Sequence, residues 1–218
     1  MAAIDQFRQL QLMEWLATFL LLFPIFMAAV MAHEVSHGWV ALRLGDSTAK
    51  EEGRLTFNPL RHIDPIGTVA LPLLLLAMRA PFVFGWAKPV PINALNLRHP
   101  KRDMLWVGIA GPAANFSLAF LGAFLLNQVG SAASPLVLGL LRYLVLVNLV
   151  LGTFNLLPIP PLDGSRVLTG LLPVPLARYL LALEPWGFLI VIGLMASGFL
   201  DRFLWPAVAA LAALLGVR

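Results

Sequence analysis

The stretch WLATFLLLFPIFMAAVMAHEVSHGW, residues 15–39, places three ionisable side chains at the end of a long apolar run. They are His33, Glu34 and His37. Charge is expensive to bury in hydrocarbon, so ionisable residues within a membrane segment are expected to be functional. Histidines four residues apart share one helix face, and His-Glu-x-x-His is the zincin pattern of two zinc-binding imidazoles and a general-base glutamate. The stretch therefore predicts a membrane helix that carries a zinc site.

The composition indicates a polytopic membrane protein. Of 218 residues, 60% are hydrophobic and 12% are charged, against about 45–50% and 25% in a soluble domain. We predict a single all-α domain over residues 1–218 with five to six transmembrane helices. The chain has no cysteine, so a metal must be bound by His, Asp or Glu. The net charge of +4 indicates loop asymmetry, and no nucleic-acid partner is expected.

Six apolar segments define the predicted helices. They lie roughly at 14–44, 63–78, 104–129, 136–157, 180–198 and 203–216. Residues 33–167 hold the motifs, and 180–216 are expected to be accessory helices. In the loops, GRLTFN (53–58) is a possible short strand, and KPVPIN (88–93) reads as extended chain because its prolines disfavour helix. A re-entrant or short β element is therefore expected between the first two core helices.

Asp163 is the best candidate for a third metal ligand, since catalytic zinc usually has three protein ligands and an open position. It lies in FNLLPIPPLDGSRVL, whose prolines interrupt regular helix. Irregular backbone at membrane depth is tolerated where it is buried in protein or lines a wet cavity. The alternative is that Asp163 caps a short helix beginning near Ser165. His62 and His99 lie in polar loops and are weaker candidates.

Three motifs in this order resemble those of the site-2 protease family, the intramembrane zinc metalloproteases. They are HEVSHGWVALRLGD, GPAANF (111–116) and FNLLPIPPLDGSRVL. The resemblance implies that His33, His37 and Asp163 bind one Zn²⁺, that Glu34 is the general base, and that Asn155 helps to stabilise the reacting carbonyl. It also implies that Asn115 lies close to the site. A minimal form of the family without a PDZ domain is expected.

Two other features allow more than one interpretation. Asn155 and Asn115 carry amides in apolar surroundings, where each could stabilise a developing oxyanion or join helices by hydrogen bonds. The proline-rich stretch FGWAKPVPIN (84–93) could offer an edge on which a substrate pairs as an added strand, or could be a plain interfacial loop.

A topological argument follows from the three predicted ligands. They must share one depth, yet they lie near the C-terminal ends of two different helices, which must therefore run in the same direction. An odd number of crossings separates such helices, so we predict that 63–86 enters and returns on one side. Residues 45–103 hold eight lysines and arginines and the opposite connection, 130–135, holds none. Positive-inside bias then places 45–103 in the cytoplasm and the site nearer that face, most simply in a bacterial cell membrane.

These observations predict a zinc endopeptidase that cuts membrane-anchored proteins in or near their transmembrane segments. Its partners would be those substrates and the lipid bilayer. The leading alternative is a divalent-cation transporter that uses the same His/Asp cluster; an inactive helix-binding scaffold and a hydrolase of a non-protein substrate rank lower. Glu34 distinguishes the protease from the transporter, because a transport site gains nothing from a carboxylate that is not a ligand.

Overall fold

The computed structural model of the chain describes residues 2–78 and 87–217. Both ranges are helical and neither contains a β-strand. The α-helices are α1 (Ala2–Arg43), α2 (Thr48–Glu51), α3 (Leu71–Ala77), α4 (Pro100–Val129), α5 (Pro135–Asn155), α6 (Asp163–Leu171), α7 (Val174–Ala182), α8 (Gly187–Ala196) and α9 (Phe199–Leu214). A π-helical turn, Pro65–Ala70, leads into α3, and short 3₁₀ turns lie at Pro59–Arg61, Ala94–Asn96, Gly130–Ala132 and Glu184–Trp186.

The predicted short strand at residues 53–58 is not confirmed. Gly53 takes the left-handed conformation, with φ at +64°, and closes the turn that follows α2. At the other end, the Asn58 side chain caps the turn Pro59–Arg61. Residues 88–93 have no helix, as predicted, but their two prolines lack the amide donors that a strand ladder needs. Local turn chemistry therefore replaces pairing in this loop.

Four helices in the described ranges are long and apolar enough to cross a membrane. They are Ala17–Arg43, Pro100–Val129, Pro135–Asn155 and Val174–Ala196. The predicted count of five to six is therefore not confirmed. A span needs about 20 residues, whereas the apolar helix Pro65–Leu75 is shorter and α9 has 16 residues. The predicted hairpin 63–86 falls partly on residues 79–86, which lie outside the described residues, as does Trp86.

The spanning helices combine buried polar side chains with large exposed apolar ones. Asn115 on α4 and Asn148 on α5 are fully buried, whereas Phe120 and Phe124 on α4 are 64% and 50% exposed. Lipid solvates apolar side chains well, while polar groups must find partners inside the bundle. Together with the four spans, this pattern defines an integral membrane protein.

Helices α1, α4 and α5 alternate in direction. The His37 side chain of α1 contacts Val107 of α4, and Ala29, two turns earlier on α1, contacts Asn115 further along α4. Residue numbers thus increase in opposite directions along the two helices. Since only residues 130–134 join α4 to α5, these two helices are also antiparallel. As a result, α1 and α5 run in the same direction and end on the same side of the bundle.

The long connection from α1 to α4 starts and ends at one point. The backbone N–H of Arg98 donates to the carbonyl oxygen of Leu44 over 3.1 Å. Beside this junction, the buried carboxylate of Asp46 accepts hydrogen bonds from Thr48 and from the backbone N–H of Asn93. Burial alone would raise the pKa of Asp46, but these hydrogen bonds hold it below its ordinary value. The loop is therefore anchored at its base.

The C-terminal helix α9 packs against the centre of the bundle. Its buried residues Leu204, Val208 and Ala212 join Leu149 of α5 and Ala123 of α4 in one apolar cluster. This cluster lies toward the end of α4 away from the histidines. It braces α4 and α5, which in turn position the residues described next.

Candidate metal centre

Two histidines of α1 and one aspartate of α6 meet inside the bundle. The Nε2 atoms of His33 and His37 lie 3.0 Å apart. The Oδ2 atom of Asp163 lies 2.9 Å from the first and 3.1 Å from the second. All three side chains are buried. The fold thus brings together the three predicted ligands, although Asp163 follows the histidines by 130 and 126 residues.

The Nδ1 atom of each histidine forms a hydrogen bond with α4. His37 Nδ1 lies 2.6 Å from the carbonyl oxygen of Val107, which can only accept, so this nitrogen carries a proton. His33 Nδ1 donates to Asn115 Oδ1 over 2.7 Å. That amide is oriented because its Nδ2 atom donates to the carbonyl oxygen of Ala29. Both Nε2 atoms therefore turn their lone pairs toward the carboxylate, as metal-binding histidines do.

The three converging atoms suit a cation. Two imidazole lone pairs and a carboxylate oxygen about 3 Å apart repel one another unless positive charge lies among them. In a tetrahedral zinc site, bonds of about 2.0–2.1 Å set ligand atoms about 3.3 Å apart, close to the spacing found here. Two histidines and one carboxylate are also a donor set that catalytic zinc takes, with a fourth position left open. The residues present therefore fit zinc.

Without a metal, protons on the imidazoles can supply the positive charge instead. Asp163 Oδ2 then accepts hydrogen bonds from His33 Nε2 and His37 Nε2. Metal binding requires that both Nε2 atoms release those protons.

The local fold directs Asp163 away from its own helix. It is the first residue of α6, which Leu162 precedes, and it makes no capping hydrogen bond, so the capping alternative is wrong. The chain packs tightly here, since a Cβ atom on Gly164 would lie 2.2 Å from the carbonyl oxygen of Leu156. The second carboxylate oxygen, Oδ1, pairs with the guanidinium of Arg166 at 3.2 Å. One oxygen thus faces the histidines and the other faces the arginine.

Glu34 and Asn155 lie beside the three ligands without joining them. Together with the ligands they line a cavity of about 130 Å³. Glu34 Oε2 accepts from the backbone N–H of Val90 over 2.8 Å, and Asn155 Nδ2 donates to the Leu151 carbonyl of its own helix over 3.0 Å. Within the described residues, the Asn155 amide thus donates to its own helix and to no other. A carboxylate next to the ligands but outside the ligand set has the placement that a general base needs.

The described part of the stretch 84–93, residues 87–93, has little free backbone for pairing with a substrate. The carbonyl groups of Lys88 and Pro89 accept hydrogen bonds from one arginine side chain, and the N–H of Val90 is bound to the glutamate. Strand addition along these residues would have to break those bonds. Residues 84–86, with Trp86, lie outside the described residues.

Sequence reasoning missed Asn148. Its Oδ1 atom accepts from Asn115 Nδ2 over 2.8 Å, and its own Nδ2 atom donates to the Leu144 carbonyl. The buried amide pair therefore links His33 to α5. A signal was available, because an asparagine within the apolar run LVLVNLVL needs a partner. The Val107 carbonyl that holds His37 had no such signal, since any residue supplies a carbonyl.

The amide of Asn115 is predicted to tune metal affinity. An Asn115→Ala substitution leaves His33 Nδ1 without its acceptor and frees the ring to rotate, so zinc affinity should fall by about 10–100-fold. Competition with a chelator of known affinity measures this. Asn127→Ala on the exposed part of the same helix is the control. Equal zinc affinity in both variants would contradict the role of Asn115.

Comparison with known proteins gives a consistent result. The profile of "Peptidase family M50" matches residues 122–179. "Putative zinc metalloprotease YwhC" of Bacillus subtilis is 39% identical over 181 residues, which cover 80% of this chain and 79% of the relative. "Putative zinc metalloprotease Rip2" of Mycolicibacterium smegmatis is 31% identical over 206 residues, which cover 94% and 77%. No solved structure matches the chain.

The fold and the site define a membrane-embedded protein with a buried His/His/Asp centre and an adjacent glutamate. The chain belongs to peptidase family M50, the site-2 protease family. Membership in the predicted family is confirmed, and the predicted class of enzyme, a zinc metalloendopeptidase, is confirmed with it.

Proposed function

We propose that the protein is an intramembrane endopeptidase that hydrolyses peptide bonds in or near the transmembrane segments of membrane-anchored proteins. The observation that carries this proposal is the convergence of His33, His37 and Asp163 inside a membrane helix bundle, with Glu34 beside them. In this proposal residues 1–218 form one metalloprotease domain. One zinc ion per chain is bound by the three ligands.

Each side chain has a distinct task. When bound, zinc supplies a Lewis acid that polarises a carbonyl group and acidifies water. Glu34 accepts a proton from the attacking water and passes it to the leaving amine, since it lies next to the ligands but is not one of them. Asn155 lines the same cavity, and rotation of its amide away from Leu151 would let it donate to the developing oxyanion.

The size of the cavity bears on how a substrate is bound. At about 130 Å³ it is smaller than the roughly 300–1,000 Å³ of typical ligand pockets. It has room for a water molecule and a carbonyl group, whereas a helical segment is far wider. A substrate helix must therefore unwind locally before its peptide bond reaches Glu34.

The direct test uses purified protein in detergent and a panel of single-span reporter proteins. We expect stoichiometric zinc, and cleavage that a chelator stops and added zinc restores. Mass spectrometry of the products should place the cut within or next to the apolar segment. Full metal content without cleavage of any reporter would overturn the proposed function and favour the cation transporter.

We also propose a membrane topology in which 45–103 lies in the cytoplasm of a bacterial cell, with the metal centre nearer that face. The hydrogen bond between Arg98 and Leu44 supports it, because the loop then leaves and returns at one level. Pro65–Leu75 would enter the bilayer and return. The eight basic residues of the loop support the cytoplasmic side.

The topology predicts the result of reporter fusions. Reporters attached near residue 50 and near residue 98 should both read the cytoplasmic side, because one segment holds both. A reporter at 130–134 should read the opposite side and serves as the control. Opposite readings near 50 and 98 would show that the intervening segment crosses the membrane once.

A further inference from the structure

The backbone amide that contacts Glu34 belongs to an unusual stretch of chain. Val90 lies between Pro89 and Pro91, and proline has no N–H. The Val90 amide is therefore the only backbone donor among these three residues, and it is bound to Glu34 Oε2 over 2.8 Å. In the described ranges no hydrogen bond reaches the other carboxylate oxygen, Oε1. The loop thus occupies one oxygen of the predicted base and leaves the other for water.

Arg54 contacts the peptide group between Pro89 and Val90 from its carbonyl end. The guanidinium Nη2 donates to the carbonyl oxygens of Lys88 and Pro89 over 2.7 and 3.1 Å. The Pro89 carbonyl and the Val90 N–H are the two ends of one planar peptide group. A cation at the carbonyl end fixes that plane and strengthens the amide as a donor. Arg54 therefore acts on the bond to Glu34 through a single rigid unit.

Stability alone does not account for this arginine. Arg54 is 5% exposed, and in the described ranges it pairs with no carboxylate, while its Nε atom has no partner. A buried charge without a counter-ion is costly, and an apolar residue of similar volume is often at least as stabilising. Within the described ranges its hydrogen bonds go to the Lys88 and Pro89 carbonyl groups, directly before the amide that contacts Glu34.

We propose that Arg54 is a positioning residue for Glu34. It fixes the Pro89–Val90 peptide so that the Val90 amide holds Oε2 and Oε1 faces the cavity. This role rests on the proposed function, in which Glu34 is the general base. Losing Arg54 should lower kcat by about 10–100-fold, the usual cost of removing an outer partner of a catalytic group. Zinc content and KM should stay within about twofold of the wild type, because Arg54 does not line the cavity and forms no hydrogen bond with the three ligands.

Two pairs of variants test whether Arg54 acts on Glu34 through the Pro89–Val90 peptide. Arg54→Gln removes the charge and Arg54→Lys retains it, so the lysine variant should recover part of the lost kcat. Val90→Pro deletes the amide proton, and Val90→Ala keeps it while shortening the side chain. The proline variant should have a kcat at least about tenfold below that of the alanine variant. Arg61→Gln, an exposed arginine of the same loop, should match the wild type.

A second readout does not depend on cleavage. Amide hydrogen exchange of a peptide covering residues 88–91 reports Lys88 and Val90 alone, because the two prolines carry no amide. In zinc-loaded protein, Val90 should exchange slowly in the wild type and in Arg61→Gln, and faster in Arg54→Gln. If no reporter protein is cleaved, the proposed function fails. The exchange rates would still show whether Arg54 fixes the Val90 amide.

The opposing results are equally definite. Wild-type kcat in a folded Arg54→Gln variant, or unchanged exchange at Val90, would overturn the proposal. Loss of zinc together with activity would assign Arg54 a purely structural role and would overturn it as well. If Arg54→Gln does not fold, the two Val90 variants provide the test. Equal kcat in Val90→Pro and Val90→Ala would then refute the proposal that the Val90 amide positions Glu34.

Discussion

Glu34→Gln is expected to lower the rate of substrate cleavage by about 10²–10⁴-fold while the protein retains its zinc. Glutamine keeps the shape of the side chain and an oxygen that can accept from the Val90 amide. It loses only the ability to take a proton from water. Because no Glu34 oxygen is among the converging ligand atoms, the metal centre should be unaffected. Cleavage kinetics and metal analysis on the same preparation measure both effects.

The result separates the rival functions. Glu52→Gln, an exposed residue after α2, is the control and should behave as wild type. A cation transporter would tolerate Glu34→Gln, since its site needs the ligands and no base. Loss of zinc in Glu34→Gln would contradict the assignment of Glu34 to proton transfer, because it would make that residue part of the ligand set.

Local sequence pattern predicted the parts of this protein that local physics decides. The apolar runs predicted the main helices, and the four-residue spacing of His33 and His37 placed them on one face. The prolines before Asp163 predicted the break between α5 and α6 that turns its carboxylate toward the site. In each case a short stretch of sequence carries the whole argument, and the structure brings the three residues together.

The features that the sequence did not predict depend on contacts between distant residues. Leu44 and Arg98 close the long loop by one backbone hydrogen bond. Every residue but proline can form such a bond, so the residue types do not indicate it. Gly53 and Asn58 have turn chemistry that overrides the strand pattern of 53–58. In the sequence Arg54 is one of eight basic residues of the loop, yet it is buried against the carbonyls of residues 34 and 35 positions away. Such roles follow from the fold and cannot be read from neighbours in the chain.

Gly111 on α4 faces the metal centre. Its spacing from Gly108 is typical of close helix packing, so the sequence does not indicate this second contact. A Cβ atom on Gly111 would lie 2.3 Å from His37 Nε2 and 2.6 Å from His33 Nε2. Zinc–nitrogen bonds are about 2.0–2.1 Å long, so the added methyl group would compete with the ion for one volume. Helix α4 cannot easily move away, because its backbone lies so close to α6 at Gly108 that a Cβ atom there would be 3.1 Å from the Asp163 carbonyl oxygen.

Gly111→Ala is therefore expected to lose zinc on dialysis and to lower cleavage by about 10²-fold or more. Alanine is the better helix former by about 1 kcal/mol, so helix propensity would favour the variant and cannot explain the loss. Gly139→Ala is the matched control, since a Cβ atom there meets nothing within 4 Å. Thermal unfolding of both variants checks that the bundle is intact. Retained zinc in a folded Gly111→Ala protein would mean that the ion lies away from α4, and the centre would then need ligands other than the three that converge here.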